Sequence, residues 1–170
     1  MAPLITLLVT FAVARAWTGA RSDRDPGARA ARIALAAMLI LTGVTHFVST
    51  EALARMVPPF LPGAVAIVYA TGVFELAAAA LLLRRVADPT PWLGWILAGF
   101  FLSLLPANIY SAVAETGLGG HGLEYLWFRV PLQVLFIGWT LVATGAVRRR
   151  RAAPPATRRA GGVPISRSVA

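Results

Sequence analysis

Five polar side chains stand inside or at the edge of long apolar runs: His46, Glu75, Asn108, Arg129 and Gln133. A histidine can donate, accept or carry a proton near neutral pH, and a carboxyl group beside it can share that proton. Asparagine and glutamine offer both a donor and a carbonyl, and arginine supplies a permanent cation. In hydrocarbon such groups are costly when unpaired, so each points to a bound ligand, a proton path or a contact between helices. Their placement decides among these readings, and it depends on the elements that carry them.

The 170 residues are 58% hydrophobic and 14% charged, with a mean hydropathy of +0.70. Those values lie outside the range of soluble domains and define an integral membrane protein. Spanning helices are expected near residues 33–50, 63–83, 92–114 and 127–147, each long enough to cross hydrocarbon about 30 Å thick. Residues 2–17 form a shorter fifth run, read as a retained spanning helix; the alternative is the core of a signal peptide. The run lacks a basic leader, and Ala14-Arg15-Ala16 is a weak cleavage site. The expected fold is therefore all-α: a four-helix membrane bundle with an additional N-terminal helix.

All sixteen basic residues are arginines. Arg15, Arg21, Arg24, Arg29 and Arg32 flank the first connection, Arg84 and Arg85 the third, and seven more occupy the tail. Only Arg55 and Arg129 fall on the other side. An excess of arginine marks cytoplasmic loops, so the N-terminus is expected outside and the C-terminus inside a bacterial inner membrane. The sequence pI of 11.7 thus reflects topology and gives no reason to invoke nucleic acid. Residues 151–170, rich in Pro, Gly, Ser and Arg, read as a disordered basic tail beside anionic lipid.

With this orientation His46 falls near the outer end of its helix and Glu75 near mid-membrane, about 10 Å deeper at 1.5 Å per residue. Direct contact between them would need helix tilt or a bridging water. Glu75 shares a helical face with Thr71, Gly72, Ala78 and Ala79, a stripe of small residues that suits a helix contact. Pro106 should free the carbonyl of Leu102 and bend its helix just before Asn108. Arg129, Gln133, Thr140 and Thr144 line one face of the last helix. His46, Glu75, Asn108, Arg129 and Gln133 would then form a cup open to the outside, with Glu75 as its floor. The plainer reading makes Asn108 and Gln133 interhelical ties, Arg129 an interfacial side chain or partner of Glu124, His46 hydrogen-bonded to a backbone carbonyl or a neighbouring helix, and Glu75 a protonated structural donor or a partner of His46 or Arg129.

The absence of cysteine excludes disulfides, CxxC relays, thiolate zinc sites and cysteine-held iron–sulfur clusters. No phosphate loop, dinucleotide fingerprint, nucleophile elbow or HExxH helix occurs. His121 lies in a glycine-rich loop, which makes bis-histidine haem ligation with His46 implausible. No metal site and no intrinsic cofactor are expected, and the sequence assigns no reaction.

Five segments in order, TGVTHF at 42–47, MVPPFLP at 56–62, YATGVFELAAAALLL at 69–83, LPANIY at 105–110 and RVPLQ at 129–133, resemble the DoxX-like membrane proteins. The similarity is to a bacterial branch with an extra N-terminal helix. It implies a four-helix bundle and, for some members, an accessory subunit of a thiosulfate:quinone oxidoreductase, hence a bound quinone near His46, Glu75 and Asn108. The missing cysteines argue against a sulfur relay. The alternative is a non-catalytic scaffold or assembly factor, and a small oligomeric transporter is a weaker alternative. Expected partners are membrane lipids and either a partner subunit or further copies of the chain.

Overall fold

A computed structural model describes residues 2–20, 25–116 and 122–147. His121, the 151–170 tail and several loop arginines therefore lie outside the described residues. The chain is all-helical, in the order α1 (Ala2–Gly19), α2 (Pro26–Val48), α3 (Thr50–Ala54), α4 (Ala64–Arg84), α5 (Pro91–Ser103), α6 (Leu105–Val113), a 3-10 turn at Leu123–Tyr125 and α7 (Leu126–Ala143). Among the described residues, five helical stretches are long and apolar enough to cross a membrane, with Pro91–Val113 counting as one interrupted span.

Several boundaries differ from the hydropathy reading for local reasons. Helix α2 begins seven residues before the predicted 33, because Asp25 caps it by accepting from the Ala28 N–H and Pro26 occupies its first turn. Arg29 and Arg32 thereby become helical residues. Helix α7 stops at Ala143, and Gly145 takes φ 76° just beyond it, a left-handed conformation that glycine adopts without strain. The fourth span breaks at Leu104, two residues before Pro106, since a proline cannot donate to the carbonyl four residues earlier.

Helix α2 is the hub. It packs against α1, α4 and α7, while α5 packs on α7, and Phe74 of α4 meets Phe100 of α5 at 4.5 Å between ring centroids. Helices α2, α4, α5–α6 and α7 thus close a four-membered ring, whose core includes Leu35, Met38, Leu39, Ala79, Leu82, Leu97 and Phe136. Helix α1 lies outside that ring against α2 and α7. It buries Leu7 completely, sets Phe11 edge-on to Trp139 at 5.0 Å, and donates the Thr18 hydroxyl to the Pro26 carbonyl at 3.1 Å.

Helices α2 and α4 approach closely through two glycines. A methyl group on Gly72 would lie 2.7 Å from His46 Cβ and 3.2 Å from the Gly43 carbonyl oxygen. On Gly43 it would lie 2.9 Å from the Leu76 side chain. Small residues let two backbones reach van der Waals contact, which drives helix association where lipid is as apolar as the side chains. Neither His46 Cβ nor a backbone carbonyl can swing aside, so Gly72→Ala should cost about 1–3 kcal/mol by overpacking. At Gly99 a methyl meets nothing within 4 Å. There, Gly99→Ala should leave stability unchanged or raise it by up to about 1 kcal/mol, since alanine is the better helix former. Thermal unfolding of the two variants in one detergent tests the contrast; equal losses would place the close contact elsewhere.

Candidate functional site

Position 46 is level with position 72, as the Gly72 contact shows. Glu75 lies three residues further along α4, about 4.5 Å at the helical rise. Side chains tilt toward the N-terminus of their own helix, and α2 and α4 are antiparallel. His46 therefore leans toward Glu75 while Glu75 leans toward His46. The result is a direct approach of 3.6 Å between His46 Nδ1 and Glu75 Oε2. This overturns the expected 10 Å difference in depth. That figure assumed level helix ends, whereas α4 extends past the end of α2 and packs against α3.

The pair is asymmetrical. The Glu75 side chain is 3% exposed and that of His46 is 13% exposed. Nδ1 of His46 also stands 2.8 Å from the Thr42 carbonyl oxygen. A carbonyl can only accept, so Nδ1 carries the hydrogen and Nε2 of the neutral ring holds a lone pair. The Thr42 hydroxyl donates to the Met38 and Leu39 carbonyls at 3.1 and 3.3 Å, and Glu75 Oε2 has no hydrogen-bond partner among the described residues. Thr50 continues the polar file by donating to the His46 carbonyl at 2.7 Å. Phe47 and Tyr69, each half-exposed with ring centroids 5.6 Å apart, stand beside the histidine, with Phe47 Cε2 also within reach of Gly72.

The other three predicted residues assemble differently. Arg129 donates to the Asn108 side-chain carbonyl and lies over the Tyr125 ring, 5.0 Å from its centroid. Gln133 donates its amide to the Phe101 carbonyl. The predicted cup is thus resolved into a His46–Glu75 pair between α2 and α4, an Arg129–Asn108 pair between α7 and α6, and a Gln133 tie from α7 to α5. Gln133 addresses the consequence of Pro106, but at Phe101, one residue before the carbonyl expected from the proline rule. Leu104 donates weakly to both Phe100 and Phe101, at 3.2 and 3.3 Å, so the break loosens the turn that contains Phe101.

One buried charge escaped the sequence reading. Arg32, grouped with the loop arginines, is only 3% exposed. Its Nε donates to the Val86 carbonyl at 2.9 Å, one terminal nitrogen to the Ala143 carbonyl at 3.0 Å, and the other to Ala87 at 3.5 Å. It therefore joins α2 to the α4–α5 connection and to the last turn of α7, where a cation also complements the helix dipole. Nearby, the Thr90 N–H donates to the Thr144 carbonyl at 3.0 Å. The sequence signal was available in Arg32's period with Leu35, Ala36 and Leu39, which places it on the core face. No group of three or more histidines and carboxylates suited to a metal occurs among the described residues.

This is a polytopic helical architecture with a buried glutamate beside a partly exposed histidine at one end and an arginine clamp at the other. The chain belongs to the family described as Domain of unknown function (DUF8561), whose match covers residues 35–144. The matched region runs from the middle of α2 to just past α7 and so contains all five predicted site residues but neither α1 nor Arg32. No curated protein and no solved structure matches the chain.

Two structural roles are testable. Replacing Arg32 with alanine strips partners from three carbonyls and should lower stability by about 3 kcal/mol, given the strength of charged hydrogen bonds. A melting temperature equal to wild type in detergent would show the clamp to be dispensable. Gln133→Leu should cost about 1 kcal/mol, the scale of interhelical hydrogen bonds in membranes. In a Pro106→Ala background, where the helix can regain its own bonds, that cost should shrink. A double-mutant cycle measures the difference, and strict additivity would uncouple Gln133 from the proline break.

Proposed function

We propose that this is a DoxX-like accessory protein of a membrane redox system, which holds the headgroup of a quinone or similar amphipathic molecule at His46 and Glu75. In this reading the His46 end faces outward and the arginine-rich end faces the cytoplasm. The asymmetric distribution of arginine supports that orientation. The observation that carries the functional reading is the His46–Glu75 pair itself: a buried carboxyl with one oxygen unpartnered among the described residues, beside a partly exposed imidazole. A purely structural pair gains by satisfying every polar atom, and this one leaves Oε2 without a hydrogen bond.

The work of the site falls to the chain's own residues. Thr42 fixes the imidazole orientation through its carbonyl, Glu75 places a carboxyl next to the ring, and Phe47 with Tyr69 offers an aromatic wall. A partner subunit would supply any cysteine-held electron-transfer centre, because the chain has no cysteine to bind one.

A second reading is a non-catalytic scaffold or assembly factor. Gln133, Arg129 and Arg32 favour it, since each ends on a group of another helix or connection. The readings separate on one preparation. Under the redox reading, protein purified from native membrane retains a lipid-soluble quinone, and both His46→Ala and Glu75→Gln lose most of it. Under the scaffold reading, no quinone copurifies and Glu75→Gln only lowers thermal stability and the abundance of the partner. Mass spectrometry of the extracted lipids, run beside a melting curve, decides between them.

A further inference from the structure

The tautomer of His46 sets a rule for what can bind beside it. Its Nδ1–H is committed to the Thr42 carbonyl at 2.8 Å, while Glu75 Oε2 stands 3.6 Å away, near enough for electrostatic attraction but too far for a hydrogen bond. A carbonyl oxygen can only accept, so the Thr42 contact holds the hydrogen on Nδ1. Nε2 has no partner among the described residues and is absent from the fully enclosed unpartnered atoms, in a side chain that is 13% exposed. The open nitrogen of the neutral ring is therefore an acceptor. A ligand that offers only carbonyl oxygens would set lone pair against lone pair there.

We infer that the His46 site selects an amphipathic ligand with an aromatic ring and a hydroxyl donor, the phenol or hydroquinone class, and discriminates against the oxidised, carbonyl-bearing form. This rests on the quinone-linked reading above and gives it a direction: the reduced carrier is the one held. The hydroxyl donates to Nε2, and the ring lies against Phe47 and Tyr69, whose centroids are 5.6 Å apart. Glu75 acts as a positioning residue, since its carboxyl lies beside Nδ1 and stabilises the positive charge that the ring gains as it accepts the donor. Gly72 serves the same geometry, because any side chain at 72 would collide with His46 Cβ.

The test uses the full chain in detergent with a His121→Gln substitution, which leaves His46 as the only histidine. Nitrogen-15 NMR of labelled histidine should show a protonated Nδ1 and an unprotonated Nε2 in the neutral ring. The opposite tautomer would overturn the inference by itself and leave the quinone-linked reading standing. A short-chain hydroquinone and its oxidised benzoquinone are then titrated as probes. The reduced probe should bind about tenfold more tightly, the scale of one well-made hydrogen bond, and should shift the Nε2 resonance. Equal or tighter binding of the oxidised probe overturns the inference alone; binding of neither overturns it together with the reading beneath it. In His46→Asn, the side-chain amide N–H takes the place of Nδ1–H but nothing replaces Nε2. This variant should stay folded and lose the preference, and a preserved preference would place the selecting acceptor elsewhere.

Discussion

The contact of α2 with α4 at Gly43 and Gly72 is the constraint from which the remaining arrangement follows. It fixes the separation of the two helices and their register, because the spaces opposite both glycines are already filled. In antiparallel helices, opposed tilts carry side chains from levels about 4.5 Å apart toward each other. Without the glycines, His46 and Glu75 would be separated by the width of an extra side chain and the pair would not form. The same register lets α4 extend past α2 to meet α3, which supports the chain before the proline-rich turn at 58–62.

A second requirement acts throughout the bundle: a backbone carbonyl released inside hydrocarbon needs a donor from somewhere. Pro106 loosens the fourth span, and Gln133 donates to Phe101. The end of α7 and the connection after α4 expose carbonyls that Arg32 collects. Trp139 donates its indole N–H to Ala31 at 3.2 Å, binding α7 to α2 while its ring receives Phe11 of α1. Polar side chains that looked like a ligand cup in one dimension are thus largely answers to backbone geometry in three. The first helix is integrated by the same kind of contacts as the others.

Hydropathy alone revealed the five helices, because a run of about twenty apolar residues has few other uses. Its errors came at the ends, where capping by Asp25 and the turn at Gly145 set limits that no hydrophobic average contains. The burial of Glu75 was legible from Gly72, Ala78 and Ala79 on its face, since a carboxyl on a small-residue stripe has only another helix to face. The contact with His46 was not legible, because it depends on the stagger between two helices and a single helix carries no record of its neighbour's height. Arg32 was hidden for the opposite reason. Its position among loop arginines suggested topology, while its period with Leu35 and Leu39 already placed it inside.

The difference between His46–Glu75 and the other polar contacts bears on why a buried carboxyl occurs here at all. Gln133 ends on a carbonyl and Arg129 on an amide oxygen, donors matched to acceptors. Glutamine at position 75 would offer the same reach without the burden of a group that ionises, so interhelical adhesion alone does not require a glutamate. A carboxyl differs from an amide in one property that matters at this place: it can hold charge beside an imidazole whose free nitrogen is open to the surroundings. On the proposed reading, Glu75 is suited to balance charge gained by His46 when a ligand donates a hydrogen bond to Nε2.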